Sequence, residues 1–228
     1  MADLFAPIAS RYDLANHILS AYRDRAWRRW LVKRAGPRPG ERVLDLCTGT
    51  GDLAIEFAKS CPELEIIGVD ISLPMLQVAR EKLTRLGLEQ QIALQHGDAL
   101  HLSFDDQSFD IVTVAFGVRN FADRLQGLRE IYRVLKPKGR AFILEFSLPQ
   151  SFLVRSLYRV YLRYLLPSLG GLLTGSRDPY VYLRDSIEAF PARAQILSEL
   201  HELGFRPVGY EDFTGGIVTL YWGGKANA

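Results

Sequence analysis

The sequence predicts an α/β fold in which a seven-stranded, mostly parallel β-sheet carries helices on both faces and ends in an antiparallel hairpin. Short apolar runs alternate with amphipathic segments of helix length through the middle of the chain. A glycine-rich turn follows the first apolar run. Near the C terminus, two strand-like runs are separated by only two residues. Such alternation is typical of βαβ units, and the short separation is typical of a hairpin.

Strands are predicted at residues 42–46, 66–69, 93–96, 110–116 and 140–146. Amphipathic periodicity predicts helices at residues 53–59, 74–86 and 125–135, and the sequence RVLKP at 133–137 is interpreted as a turn. The hairpin is predicted at residues 205–213 and 216–222, joined by Thr214 and Gly215. Residues 151–190 do not follow the alternation and are interpreted as a helical insertion.

One domain is predicted over residues 1–228, with four parts. Residues 1–39 form a helical lid in which Trp27, Trp30 and Leu31 share one side, and the turn GPRPG at 36–40 ends it. The ligand-binding core spans 40–150, the insertion 151–190, and a last helix with the hairpin 191–228.

Composition excludes several classes of protein. A formal net charge of +2 does not favour a nucleic-acid binder. Cys47 and Cys61 have no metal-ligand or redox spacing, which predicts a reduced, cytoplasmic protein without a metal site. The N terminus resembles no signal peptide, and the most apolar region, 160–173, is too short and interrupted to span a bilayer, which takes about 20 residues.

The strongest motif is VLDLCTGTGDLA at residues 43–54, where an apolar strand enters a glycine-rich turn and a helix follows at once. Gly49 and Gly51 would let the backbone approach a ligand at the carboxyl end of the strand. The spacing Gly49-x-Gly51-x-x-Ala54, with Asp70 19 residues after Gly51, also satisfies the dinucleotide fingerprint of a dehydrogenase.

Three features favour a Rossmann-like, class I methyltransferase that binds S-adenosylmethionine over a dehydrogenase. Asp45 lies inside the motif, where a carboxylate suits an amino group and repels a pyrophosphate. A second acidic turn, Gly97-Asp98-Ala99, follows the third strand, and the C-terminal hairpin is the third feature.

Individual roles follow from these positions. Asp70 is predicted to bind both ribose hydroxyls, with Ser72 as the N-cap of the next helix. Asp98 is predicted to contact adenine, while Asp52 either binds the cofactor or favours the helix N terminus electrostatically. The predicted cofactor-binding residues are Asp45, Gly49, Thr50, Gly51, Asp70, Ile71, Asp98, Ala99 and Ala115.

Further motifs run in order along the chain: FAPIA at 5–9 with YD at 12–13, FGVRN at 116–120, YRVLKPKGR at 132–140, EFS at 145–147, YL at 182–183 and GGIV at 215–218. Through them the chain resembles the ubiquinone/menaquinone biosynthesis C-methyltransferase family over nearly its whole length. The resemblance implies S-adenosylmethionine-dependent methylation of a ring carbon of a prenylated hydroquinone, with cofactor contacts at Thr50, Asp70, Asp98 and Ala99. Members often have serine where this chain has Ala115.

The turn LCTGTG resembles that of menaquinone-pathway members of this family, and the resemblance favours demethylmenaquinol as acceptor. A ubiquinone-pathway methoxy-polyprenyl-benzoquinol, another small lipid or natural product, and a non-catalytic binding role stay open, as does a homodimer. Arg119 could stabilise a developing phenolate or form a salt bridge with Asp123. We hypothesise that Tyr12, Asp13 or Arg119 handles the proton, and that Asn120, Phe116 and Tyr182 bind substrate.

Arg155, Arg159 and Arg163 recur every four residues in the insertion and share one helix face. Its apolar residues Leu153, Leu157, Tyr161, Tyr164 and Leu165 fall largely on other faces. Two interpretations stay open: a surface helix packed on the core, or an interfacial helix that rests on anionic lipid at the inner face of the membrane and helps admit a prenyl tail. The basic segment around Trp27 and Trp30 would add to such a surface.

Overall fold

The computed structural model describes the backbone of residues 9–227 and the side chains of residues 13–227. The predicted sheet is confirmed: its seven strands lie in the order β3-β2-β1-β4-β5-β7-β6. Neighbouring strands are parallel from β3 to β5, and β7 is antiparallel to both β5 and β6. The C-terminal hairpin therefore closes one edge of a parallel sheet.

The strands are β1 (Arg42–Leu46), β2 (Glu65–Asp70), β3 (Ile92–His96), β4 (Phe109–Ala115), β5 (Leu135–Phe146), β6 (Phe205–Phe213) and β7 (Val218–Lys225). The helices are α1 (Ala9–Leu19), α2 (Arg23–Ala35), α3 (Asp52–Ser60), α4 (Leu73–Leu86), α5 (Arg124–Val134), α6 (Phe152–Val160), α7 (Leu166–Thr174), α8 (Asp178–Ala189) and α9 (Arg193–Glu202). A π-helical turn (Tyr161–Leu165) joins α6 to α7. Among the described residues, no helix combines the length and apolar character that a membrane span needs.

Both faces of the sheet are buried because side chains alternate along each strand. On β1, Val43 packs into a cluster with Leu31 of α2 and Phe57 of α3. Its neighbour Leu44 packs into the opposite cluster, which contains Leu128 of α5. The carboxyl ends of the parallel strands are left to form a site at one edge.

The structure corrects two predicted turns. The sequence RVLKP is not a turn: α5 ends at Val134 and β5 begins at Leu135. A register shift in the β4–β5 ladder absorbs the extra residues, with Lys138 in the left-handed region at φ 66°. The hairpin turn is longer than predicted, since Thr214–Gly216 forms a 3-10 turn and β7 begins only at Val218.

The N-terminal helices and the insertion pack against each other. Ala15 of α1 lies in one buried cluster with Tyr158, Leu162 and Tyr180 of the insertion. The predicted apolar side of α2 is only partly right, because Trp27 and Leu31 are buried whereas Trp30 is half exposed.

Candidate active site

The carboxyl ends of the parallel strands open into one cavity of about 650 Å³. One end is formed by the turn after β1, Asp70 at the end of β2 and the turn after β3. The other end is formed by α1, α2 and the insertion. A cavity of this size suits a small-molecule site.

The turn after β1 reverses the chain sharply enough to bring its backbone to the cavity wall. Gly49 and Gly51 have φ of 57° and 83°, which glycine adopts without steric cost. Cys47 adopts φ 54° as well, a conformation that is strained for a residue with a side chain. Helix α3 begins directly after Gly51 and presents its N terminus at this wall.

Asp70 ties this turn to the end of β2. Its Oδ2 accepts a hydrogen bond from the Gly49 N–H at 2.8 Å, and its Oδ1 accepts one from the Ser72 N–H at 2.8 Å. Burial raises the pKa of Asp70, and these backbone donors oppose that rise. Ser72 holds the predicted N-cap position, but its hydroxyl makes no capping bond.

Asp45 lies deeper than the predicted ligand contact implies. The residue is 1% exposed, and its carboxylate accepts hydrogen bonds from the hydroxyls of Thr48 at 2.7 Å and Thr113 at 2.9 Å. Burial raises the pKa of Asp45 to about 6, although the two hydroxyls favour the ionised form. The residue still lines the cavity.

The remaining predicted cofactor residues gather at the same end. Asp98 accepts a hydrogen bond from the Leu100 N–H at 2.9 Å, which shapes the turn after β3. The described lining of the cavity includes Asp98, Ala99, Ile71, Ala115 and Thr50.

A charged network joins α1 to the turn after β1. The Thr50 hydroxyl donates to Asp13 at 2.6 Å, and Lys82 Nζ lies 2.8 Å from the other Asp13 oxygen. Lys82 also binds Asp52, which lies 3.6 Å from Arg28 of α2. Burial would raise the pKa of Asp52, but Arg28 and Lys82 outweigh it and lower that pKa. Asp13 thus fastens α1 to the turn after β1 and to α4, while the side chain of Tyr12 lies outside the described residues.

Arg119 lies in a 3-10 turn (Val118–Asn120) after β4 and lines the cavity. The predicted alternative partner, Asp123, is wrong: Asp123 caps α5 by accepting a hydrogen bond from the Gln126 N–H at 3.0 Å. Arg119 Nη1 instead lies 2.9 Å from Oε1 of Glu145 near the end of β5. Sequence reasoning missed Glu145, and a carboxylate inside the apolar run 141–146 was the available signal.

The predicted substrate residues also come together. Asn120 and Phe116 line the cavity, and Asn120 Oδ1 accepts a hydrogen bond from the Tyr182 hydroxyl at 3.0 Å. The Phe116 ring packs against the Phe146 ring, with centroids 4.6 Å apart. Tyr182 of α8 is thereby connected to the loop after β4.

The far end of the cavity is largely apolar. The insertion was predicted to help admit a prenyl tail, but the residues that line this end were not among the predicted substrate-binding residues. Its walls come from the N-terminal helices and the insertion, and they include Leu19, Trp27, Leu157, Tyr158, Leu162, Leu166, Tyr180, Leu183 and Ile187. The Tyr161 hydroxyl donates to the Leu19 carbonyl at 2.8 Å, which fastens the π-helical turn to α1. These segments are far apart in sequence, so only the fold assembles this pocket.

Comparisons with known proteins agree with this site. The ubiE/COQ5 methyltransferase family matches residues 1–225. A demethylmenaquinone methyltransferase from Thermus thermophilus is 45% identical over 222 residues, which cover 97% of this chain and 100% of the relative. A ubiquinone/menaquinone biosynthesis C-methyltransferase from Geotalea uraniireducens is 43% identical over 224 residues, covering 98% of this chain and 95% of the relative.

Solved structures share the fold. A SAM-dependent methyltransferase from Aquifex aeolicus superposes with a TM-score of 0.63 at 18% identity, covering 86% of this chain and 88% of its own. A putative methyltransferase from Methanococcus maripaludis gives a TM-score of 0.60 at 22% identity, covering 99% and 88%.

Fold and site together define a methyltransferase that uses S-adenosylmethionine. The glycine-rich turn, the carboxylates of Asp70 and Asp98 and the N terminus of α3 fit such a cofactor, since they offer close backbone approach and acceptors for hydroxyl and amino groups. The chain belongs to the ubiE/COQ5 methyltransferase family.

The loops after β1 and β4 touch at Cys47 and Gly117. A Cβ added at Gly117 would lie 2.6 Å from Cys47 Cβ and 2.8 Å from its Sγ. We expect Gly117→Ala to push the loops apart and to weaken S-adenosylhomocysteine binding at least about tenfold by calorimetry, since small displacements in a site are costly.

Cys47→Gly in the same chain should recover most of that affinity, because it removes both clashing atoms at a residue whose positive φ suits glycine. Failure of this second substitution to restore binding would show that the loop contact does not shape the site.

The buried carboxyl group of Asp45 should make the stability of the protein depend on pH. Because its pKa in the folded protein is about 6 against an ordinary 3.8, the folded state holds this proton longer than the unfolded state. Its contribution to stability is therefore lost as pH rises through this range. As the pH rises from about 4 to 7, the free energy of unfolding of Asp45→Asn should therefore increase by about 2–3 kcal/mol relative to that of the unsubstituted protein.

Urea unfolding at several pH values measures this difference. The variant also loses one hydrogen bond to Thr48 or Thr113, which changes its free energy of unfolding by the same amount at every pH. The readout is therefore the slope of the free energy of unfolding against pH. Asp105→Asn, at an exposed carboxylate, is the control. Parallel pH curves for Asp45→Asn and the unsubstituted protein would refute the burial effect.

Proposed function

We propose that the enzyme methylates a ring carbon of a prenylated hydroquinone, with demethylmenaquinol as the acceptor and menaquinol as the product. One observation carries this proposal: a single cavity joins the cofactor end at the glycine-rich turn to a largely apolar end at the insertion. A ligand that spans both ends needs a polar ring and a hydrophobic tail. The names of the relatives from Thermus thermophilus and Deinococcus radiodurans, both demethylmenaquinone methyltransferases, support the naphthoquinol.

Bound S-adenosylmethionine would supply an electrophilic methyl group on a sulfonium. The protein must then hold the ring carbon in line with that methyl group and make the ring more nucleophilic. Ionisation of the adjacent phenol does the latter. A cation at the cavity wall lowers the free energy of the phenolate, and Arg119 meets that requirement.

Guanidinium groups stay protonated in proteins, so Arg119 stabilises the phenolate rather than accepting its proton. Asp13 is already bound to Thr50 and Lys82, which favours a tethering part for it. Tyr12 stays a candidate to relay the proton to water, accepting it as its own hydroxyl proton leaves. Asn120, held by Tyr182, is a polar group at the wall that can orient a ring hydroxyl.

We also propose that the insertion contacts the membrane. Phe152 and Leu172 are each 83% exposed, an unusual exposure for such large apolar side chains. They belong to a set of exposed apolar residues on α6, the π-helical turn and α7: Phe152, Leu153, Leu157, Val160, Tyr164, Leu165, Leu169 and Leu172. Arg159 and Arg163 are exposed on the same segment and suit anionic headgroups.

Arg155 does not belong to that basic surface. Its guanidinium donates to the carbonyls of Pro149 at 2.7 Å and Gln150 at 3.1 Å, so it fixes the start of α6. The inner side of the insertion, with Tyr158 and Leu162, lines the apolar end of the cavity. A prenyl tail could therefore pass from lipid to the cavity along one helical segment.

A turnover assay with labelled S-adenosylmethionine tests the acceptor. A demethylated naphthoquinol and a prenylated methoxybenzoquinol are offered separately under reducing conditions. We expect label in the naphthoquinone product. Label only in the benzoquinone would move the enzyme to the ubiquinone pathway, and transfer to neither would contradict the proposed acceptor class.

In the same assay, Arg119→Gln should lower kcat by about 10²-fold or more, as loss of a preorganised donor does.

Flotation with anionic vesicles tests the membrane surface. The double substitution Phe152→Ser and Leu172→Ser should reduce the floated fraction severalfold, since it removes two apolar side chains from the proposed contact. Leu86→Ser, at a half-exposed leucine of α4, is the matched control and should leave flotation unchanged. Equal flotation of both variants, or none with the unsubstituted protein, would contradict membrane contact.

A further inference from the structure

A buried ion pair forms part of the cavity wall. The Arg119 side chain is 3% exposed and that of Glu145 is 0% exposed, and their closest atoms lie 2.9 Å apart. Glu145 Oε2 also accepts from the Arg119 N–H at 3.2 Å, and Oε1 from the Phe146 N–H at 2.9 Å. Glu145 therefore holds both the backbone and the guanidinium of Arg119.

Part of the guanidinium keeps an unused donor. Nη1 is taken by Glu145 and by the Phe116 carbonyl, whereas Nε is buried without a hydrogen-bond partner among the described residues. A buried donor of this kind carries a desolvation cost unless a ligand or water meets it. Arg119 as a residue lines the cavity, so this buried donor belongs to a side chain that a ligand would contact.

Stability is a poor explanation for this pair. Desolvation of two charges costs about as much as their attraction returns, and apolar residues of similar volume often serve as well. A requirement of the ligand explains the pair better. Arg119 by itself would place a positive charge in a cavity that must accept a positively charged sulfonium, and a repulsion of this kind is strong where water is excluded.

The position of the pair supports an effect on the cofactor. Gly117 touches Cys47 of the glycine-rich turn closely enough to exclude a Cβ, and Arg119 follows two residues later. Burial raises the pKa of the Cys47 thiol; among the charges that act on it, Glu145 raises that pKa and Arg119 lowers it. The two charges of the pair therefore act with opposite sign at the turn that holds the cofactor.

We propose that Glu145 is a positioning residue that fixes Arg119 at the wall and neutralises its charge toward the sulfonium. The pair presents a guanidinium edge to the acceptor oxygen without a net positive charge beside the methyl donor. This inference rests on the proposed function for the identity of the donor and the charge of the acceptor oxygen. It assigns a role to a residue of β5 that does not itself have to touch the reacting atoms.

The test compares two ligands that differ by one methyl group and one positive charge. Calorimetry on the full chain measures Kd for S-adenosylmethionine and for S-adenosylhomocysteine. In Glu145→Gln the guanidinium loses its counter-charge, so binding of the sulfonium should weaken about tenfold or more relative to the neutral sulfide. A merely structural role for Glu145 would weaken both ligands equally, and that outcome would overturn the proposal.

Two further variants separate charge from folding. Arg119→Gln with Glu145→Gln removes both charges, and the ratio of the two Kd values should return to within about twofold of the original while kcat stays low. Arg119→Gln alone leaves the Glu145 carboxylate without its cationic partner. It should therefore strengthen binding of S-adenosylmethionine relative to that of S-adenosylhomocysteine. If Glu145→Gln does not fold, the double variant and Arg119→Gln alone provide the test. The proposal is overturned if the ratio of the two Kd values is the same in these two variants.

Glu199→Gln is the matched control. Glu199 accepts two hydrogen bonds from Arg124, at 2.8 and 2.6 Å, but neither residue lines the cavity as described. Its substitution should leave the ratio unchanged. If the unsubstituted protein binds neither ligand, the assignment of S-adenosylmethionine as the cofactor is refuted. If it binds both ligands but transfers no methyl group to a quinol, only the proposed acceptor is refuted.

Discussion

The hydrogen bond from the Gly49 N–H to Asp70 is the constraint on which the site depends. It joins the turn after β1 to the end of β2, while Gly117 presses the loop after β4 against Cys47 of the same turn. Three neighbouring strands thereby deliver their polar ends to one edge of the sheet. Because parallel strands end at the same edge, loops from distant parts of the sequence share one cavity there. The strained backbone of Cys47 is the cost of this close approach.

The second level of organisation is the cover over that edge. Helices α1 and α2 are held down by the ion pairs and hydrogen bonds of Asp13, Lys82 and Asp52, and the insertion packs on α1 through a separate apolar cluster. The polar contacts lie next to the cofactor end, and the apolar contacts lie next to the far end. One cover therefore gives the cavity two chemically different ends, which is what a polar ring with a hydrophobic tail requires.

Buried charges in the site are balanced in different ways. Asp45 is satisfied by two hydroxyls and carries a raised pKa, whereas Glu145 is satisfied by the guanidinium and backbone of Arg119. Low polarity around such groups strengthens every interaction that remains. A site of this kind can discriminate between ligands that differ by a single charge, which is the difference between a methyl donor and its demethylated product.

The sequence by itself determined the strand and helix order and the positions of Gly49, Asp70 and Asp98, because periodicity and glycine spacing are local signals. It also pointed to Arg119 and Asn120 at a strand end. Only the tertiary structure decided that Arg119 pairs with Glu145 rather than Asp123, that Asp13 binds Lys82, and that Tyr158 and Leu162 line the cavity. Each of these contacts joins residues that are distant in the chain or lie on faces that local periodicity does not distinguish. Their partners exist only after strands and helices have packed.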